Sequence, residues 1–254
     1  MNAIMTLNLV NKESNRLFTR KIGDKRLFIN AILVRINGLV HDALLGKTGA
    51  LIESYKVNFG ICNMTDFFYD EIDKYEGLLE RRNGIDYSKV SFTSKFKHEI
   101  SCDCEININF MGLIESFDKL TSIINLVYLS GGFDSRGSFY SVEKKIQKKL
   151  NSLLSQIVTT KATKDSQENV TDILKTEHHQ SLEIVEVGNI DILIKAMNSS
   201  YAPGLSKQNI SQVNVRLKQL KKEMNDDLRI KEASVKLKEL NKDTTNDLVI
   251  KEAC

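Results

Sequence analysis

Two apolar ladders at helical spacing, divided by a glycine turn, constrain this chain more than any other feature. Phe110, Leu113, Ile114, Phe117, Leu120, Ile124 and Val127 follow one another at steps of 3, 1, 3, 3, 4 and 3. Such steps put all seven on one stripe of a helix, expected over about 107–129. Ser130-Gly131-Gly132 ends it, because glycine enters the left-handed conformation that closes a helix at little cost. Phe139, Val142, Ile146, Leu150, Leu153 and Ile157 form the second ladder and predict a helix over about 135–158.

The segment before these helices, KVSFTSKFK at 89–97, alternates with period two. Val90, Phe92 and Phe96 fall on one side. Lys89, Ser91, Thr93, Lys95 and Lys97 fall on the other. That pattern predicts a strand with an apolar inner face and a basic, hydroxylic outer one. One strand cannot make a sheet, so its partner is expected from a second copy across a two-fold axis. Phe92, Phe96, Phe110 and Phe117 also need burial, which adds to the case for a homodimer. A two-stranded ribbon fits the major groove of double-stranded DNA, where Lys and Ser/Thr reach base edges and phosphates. In a competing register, Ile100, Cys102, Cys104 and Ile106 alternate with Ser101, Asp103 and Glu105. Its outer face is acidic and repels phosphate, so 89–97 is preferred.

Beyond the glycine turn, Ser135, Arg136 and Ser138 stand at a helix start, where unpaired N–H groups and the helix dipole attract an anion. From Asp134 to Lys164 there are seven Lys or Arg against two acidic residues. The positive charge is therefore clustered here, although the whole chain carries only +3, a balance that alone says little about partners.

The remaining chain reads as two flanking regions around a 89–160 core. Residues 1–88 form an N-terminal helical region. It opens with a strand-like Met5, Leu7, Leu9 alternation, continues as a helix over 24–45, and ends in a helix capped by Thr65 with Phe68, Ile72, Tyr75 and Leu79 as its stripe. Residues 161–254 form a linker and a helical tail. Lys161–Gln180 is polar and expected to link, Ser181–Val187 to be a strand, Asn189–Met197 a short helix, and Pro203, the single proline, a turn. In the tail, 215–234 and 235–254 are identical at eleven of twenty positions. Two copies cannot make a solenoid. A duplicated accessory helix is the plain reading; a docking surface for RNA polymerase or another regulator is the sharper one.

Several functions lack support. Gly46-Lys47-Thr48 would need a glycine at position 41 and a preceding strand to hold phosphates, but His41 stands there and a helix precedes, so Gly46 is read as the glycine that closes that helix. Cys102, Cys104 and His98 do not form a structural zinc pattern; the cysteines are expected to pack as small apolar groups. His178-His179 lies in a polar stretch and is read as solvated. No nucleophile elbow or dinucleotide glycine pattern occurs, so neither enzyme activity nor a cofactor or metal is expected. No apolar run approaches the roughly 20 residues of a spanning helix. The first ten residues lack a secretion signal, and the four cysteines form no secreted framework. A reducing cytoplasm is expected.

The run FMGLIESFDKLTSIINLVYLSGG, followed by Tyr140 near the start of a basic helix, resembles the AcaB family of transcription regulators, found on conjugative plasmids and integrative conjugative elements. The matching positions are Leu113, Ile114, Phe117, Asp118, Leu120, Ile124, Leu126, Leu129 and Gly131, then Tyr140 and Ile146. The helix around Phe67–Leu79 also looks like the family's preceding helix. The resemblance covers Leu17 to Thr160 and not the tail repeat. It implies a dimeric ribbon-helix-helix activator of transfer-gene promoters. The expected fold is thus mainly α with a short dimeric β-ribbon, and the expected function is sequence-specific DNA binding. The alternative is a structural or protein-interaction component of a conjugation apparatus that works through its helical tail.

Overall fold

The computed structural model describes residues 3–22, 26–81, 90–160, 169–175 and 187–251. Its elements are β1 (Ala3–Leu9), α1 (Lys12–Thr19), the two-residue strands β2 (Lys21–Ile22) and β3 (Arg26–Leu27), α2 (Phe28–Leu44), α3 (Thr48–Glu80), β4 (Phe96–Cys102), α4 (Glu105–Leu129), α5 (Arg136–Thr159), α6 (Val187–Ala196) and α7 (Lys207–Lys251). The described chain is mainly helical.

Helices α3 and α4 form the centre. Phe68, Ile72 and Leu79 of α3 and Phe110, Leu113, Ile114 and Leu120 of α4 are almost wholly removed from water. The rings of Phe68 and Phe117 meet at 5.7 Å, tilted by 42°. α2 adds Ile32, Ile36 and Ala43, and α5 adds Ile146, Leu150, Leu154 and Ile157. Both ladders that opened the sequence reading therefore face inward, within a residue or two of the expected bounds. One cluster of buried apolar residues runs from Leu7 to Leu220.

The strand before α4 differs from expectation. It spans Phe96–Cys102 rather than Lys89–Lys97, and it pairs with β1 of the same chain, not with a second copy. The ladder is antiparallel, from Leu9 opposite Phe96 to Ala3 opposite Cys102. The buried face decides the register. Leu7, Leu9 and Cys102 are buried, and Met5, Phe96 and Ile100 pack against the core, whereas Phe92 stays 39 % exposed. The acidity of the outer face, on which the alternative was set aside, does not bear on which face packs. Phe110 and Phe117 are buried within the single chain, so neither they nor the strand require a partner copy.

A buried carboxylate fixes the junction of β1 and α1. Asp118 Oδ2 accepts the Val10 amide at 2.8 Å, and its Oδ1 accepts the Asn11 amide at 3.0 Å. The Asn11 side-chain amide donates to the same oxygen, to the Asp118 carbonyl and to Ser122 Oγ. This network ties the end of β1 and the start of α1 to the middle of α4.

Other expectations divide. Thr65 does not start a helix: α3 is continuous over 33 residues, and the Thr65 hydroxyl donates back to the Ile61 carbonyl at 3.0 Å, a bond available to threonine inside a helix. Gly46 closes α2 as expected. Its φ is +86°, its amide donates to the Ala43 carbonyl and the Lys47 amide to the Asp42 carbonyl, the paired bonds of a Schellman end. A Cβ there would meet the Asn169 side chain at 2.7 Å. Part of the supposed linker is ordered against this helix end: Val170–Lys175 form a 3-10 turn, Val170 and Ile173 are fully buried, and the Val170 amide donates to the Gly46 carbonyl at 2.8 Å. Residues 161–168 and 176–186, including His178, His179 and nearly all of the expected 181–187 strand, lie outside the described residues; Val187 opens α6 instead. The tail forms one helix of 45 residues, roughly 67 Å long, anchored through Val213, Leu217 and Leu220. Among the described residues, no helix is long and apolar enough to cross a membrane.

Candidate nucleic-acid interface

The turn into α5 is built by its glycines. Gly131 has φ +71°, its amide donates to the Tyr128 carbonyl, and the Gly132 amide donates to the Val127 carbonyl at 2.7 Å. α4 therefore stops sharply. Phe133 and Phe139 then anchor the start of α5: Phe139 stacks on Tyr128 with centroids 4.4 Å apart, and Phe133 meets Tyr75 at 6.2 Å.

On this base stand three of the expected site residues. Ser135 is the N-cap of α5, and its hydroxyl accepts the Ser138 amide at 3.1 Å. The two hydroxyls lie 2.7 Å apart. Arg136 is exposed and reaches forward one turn, donating from Nε and Nη2 to the Tyr140 hydroxyl at 3.2 and 2.9 Å, with its guanidinium over the Tyr140 ring. The hydrogen bond to Tyr140 raises the arginine's pKa further. The amides of Arg136 and Gly137 open the helix ahead of its internal ladder, so they point toward any anion that arrives there.

The basic strand residues are placed differently. Lys89 lies outside the described residues. Ser91 and Thr93 are exposed ahead of β4. Lys95 is exposed at the end of the ladder, where its amide donates to the Leu9 carbonyl. Only Lys97 is in β4, on the outer face, paired with Glu99 at 2.9 Å. That face also carries Ile4, Thr6 and Asn8 from β1 and Ser101 from β4, all exposed. No hydrogen bond or ion pair among the described residues joins residues 91–97 to Ser135, Arg136 and Ser138.

Along α5, Lys144, Lys145 and Lys148 are exposed. Among the described residues none of the three is in an ion pair. The helix's single carboxylate, Glu143, is half-buried, and that desolvation, with Glu13 nearby, raises its pKa. Lys149 covers the Phe67 ring at 3.6 Å. Helix α1 was not expected from the sequence; its Arg16, and Arg20 just past its C-terminal end, are exposed and flank the same cleft as Gln147 and Asn151 of α5. The local signal was present as Arg16, Leu17 and Arg20 at helical steps, but α5 is 120 residues away in sequence.

No metal centre is formed among the described residues by three or more His, Cys, Asp or Glu side chains. Cys102 is buried, and Cys104 serves as the N-cap residue of α4. His98 stacks on Phe18 at 4.1 Å, and its Nε2 lies 2.8 Å from Asn15 Oδ1.

No family model and no curated protein matches the chain. A crystal structure of selenomethionine-containing AcaB from uropathogenic E. coli is similar at a TM-score of 0.45 and 15 % identity, over 84 % of this chain and 97 % of that one. It shares its name with the family that residues 17–160 resemble.

Proposed function

We propose that this chain binds duplex DNA as a transcription regulator, with α5 as its main phosphate-binding surface. The observation that carries the reading is the uneven charge of α5. Arg136, Lys144, Lys145 and Lys148 are exposed, while Glu143, its one carboxylate, is drawn inward. A helix that leads with a capped N-terminus and carries lysines along one side supplies the sequence-independent part of DNA affinity, which comes from releasing counterions. The β1–β4 ribbon gives the reading its second part. One chain supplies both strands, so the groove-facing residues are drawn from Thr6, Asn8, Lys97 and Ser101 together with the exposed Ser91, Thr93 and Lys95. Control of conjugative transfer genes, and activation rather than repression, enter this proposal only through the sequence resemblance.

The test is a fluorescence-anisotropy titration of the full chain on operator-region and scrambled duplexes at two salt concentrations. Affinity for both should fall steeply with salt, by about 0.9 in log–log slope for each phosphate contact. A flat salt response, or no binding at low salt, overturns the reading.

A second reading, a protein-interaction component working through the tail, is favoured by α7. It is anchored near its start, while Val215 and Ile230 are 54 % and 67 % exposed. Deleting residues 235–254 should leave DNA binding intact if the first reading holds.

A further inference from the structure

We infer that the cleft between α1, α4 and α5 binds a free α-amino acid with an apolar side chain. The cavity holds about 200 Å³, below the roughly 300–1,000 Å³ of pockets for drug-sized ligands. Its floor is apolar: Leu17, Phe117 and Leu150 line it, each at most 7 % exposed. Its walls are charged and amidic. Arg16 of α1 and Arg20, the residue that caps its C-terminal end, both line the cleft and can take one carboxylate between them. Arg20 is steadied by the Phe28 ring, 4.9 Å from its guanidinium carbon. Glu13, one turn before Arg16, lines the same cleft and supplies the counter-charge for an ammonium. Gln147 and Asn151 close the α5 side with amides able to donate and accept.

Each part of this set has a counterpart in one ligand class. A DNA phosphate would use the two arginines but be repelled by Glu13 and gain nothing from the apolar floor. A neutral hydrophobe would use the floor and leave the charged walls of the cleft without a partner. A zwitterion with a branched aliphatic side chain uses all of them. Because the cleft spans α1 and α5, such a ligand bridges the N-terminal helix to the helix assigned above to DNA. Its binding does not depend on that assignment.

The experiment is isothermal titration calorimetry on the full chain without DNA, using L-leucine as the probe. Isocaproate, which lacks the ammonium, and isoamylamine, which lacks the carboxylate, are the controls. Leucine should bind saturably at one site, and each control roughly tenfold or more weaker, the loss expected for a charge-assisted hydrogen bond. Arg16→Gln and Glu13→Gln should each weaken leucine by about the same factor, and Gln147→Ala by less, with circular dichroism showing all three folded. No heat beyond dilution at millimolar leucine overturns the inference. So does isocaproate binding as well as leucine. If Arg16→Gln leaves leucine binding unchanged but weakens DNA, the arginines are phosphate contacts and the inference fails.

Discussion

Helices α4 and α5 are consecutive and nearly equal in length, 25 and 24 residues, yet they treat polar groups in opposite ways. α4 buries them. Asn107, Ser116, Asp118, Thr121 and Ser122 are all under 6 % exposed. Asn107 donates to Asn37 at 2.7 Å, Ser116 and Thr121 to carbonyls of their own helix, and Asp118 accepts from the start of the chain. α5 keeps Lys144, Lys145 and Lys148 outside. A buried polar group without a partner is expensive, so those of α4 fix where other segments lie. Exposed lysines cost nothing in water, so those of α5 add little to the fold and remain available to a partner molecule.

If that contrast holds, the largest effect on the fold comes from α4. Asp118→Ala leaves the amides of Val10 and Asn11 without their acceptor, while the Asn11 side chain keeps the residue-118 carbonyl and Ser122 Oγ. Each unmet donor costs about 1–3 kcal/mol, so the variant should lose roughly 2 kcal/mol or more. The midpoint of urea unfolding reads this directly. A loss under about 1 kcal/mol would mean that water satisfies these groups and that Ala3–Leu9 is held without help from Asp118.

The reverse holds for α5. Replacing Lys144, Lys145 and Lys148 together with Gln should leave the urea midpoint within about 0.5 kcal/mol of wild type, as for ordinary surface changes. DNA binding should weaken, and the salt slope should drop by about 0.9 for each lysine that touches phosphate. A triple variant that unfolds easily, or that binds DNA unchanged, breaks the comparison from this side.

The same contrast explains what the sequence disclosed. The ladders from Phe110 to Val127 and from Phe139 to Ile157 were legible because seven and six apolar residues at helical steps have one sensible burial. The helix start at Ser135 and the glycine closures at Gly46 and Gly131 were legible because they are local. The β4 register was not. KVSFTSKFK and the following FKHEISC both alternate, and the choice rests on β1, about 90 residues earlier, and on a core that no short window contains. Asp118 was seen only as part of a resemblance, since nothing local marks a carboxylate whose partners are Val10 and Asn11. The continuity of α3 was hidden for a related reason: Thr65 has the chemistry of a cap, and only the preceding turn shows that its hydroxyl is already bonded.

A smaller effect separates the two parts of the proposed DNA surface. Arg136→Ala removes a cation at the α5 N-terminus and should weaken operator and scrambled duplexes about equally, lowering the salt slope by about one. Thr93→Ala and Lys95→Ala should instead narrow the gap between the two duplexes, by about 1–3 kcal/mol where a base contact is lost. All three side chains are exposed, so folding should not change. If the 93 and 95 variants discriminate like wild type while Asn8→Ala does not, base reading belongs to the paired ribbon rather than to the segment before it.

The smallest effect concerns pH, and it arises where the buried and exposed regimes meet. His98 projects from the inner face of β4 against Phe18 of α1, and burial lowers its pKa below the usual 6.5. Near neutrality its ring is uncharged, and Nε2–H can donate to Asn15 Oδ1. A depressed histidine pKa means that the unfolded chain binds more protons than the folded one between the two values. The contribution is therefore complete above about pH 6.5 and is lost as the pH falls through the lowered folded value. Because the ring is only partly buried, the change should be modest, and it should disappear in His98→Gln. Urea midpoints at pH 7.5 and 5.5 should thus differ more for wild type than for the variant. Equal differences would place the acid sensitivity elsewhere and would leave the β4–α1 contact without a titrating part.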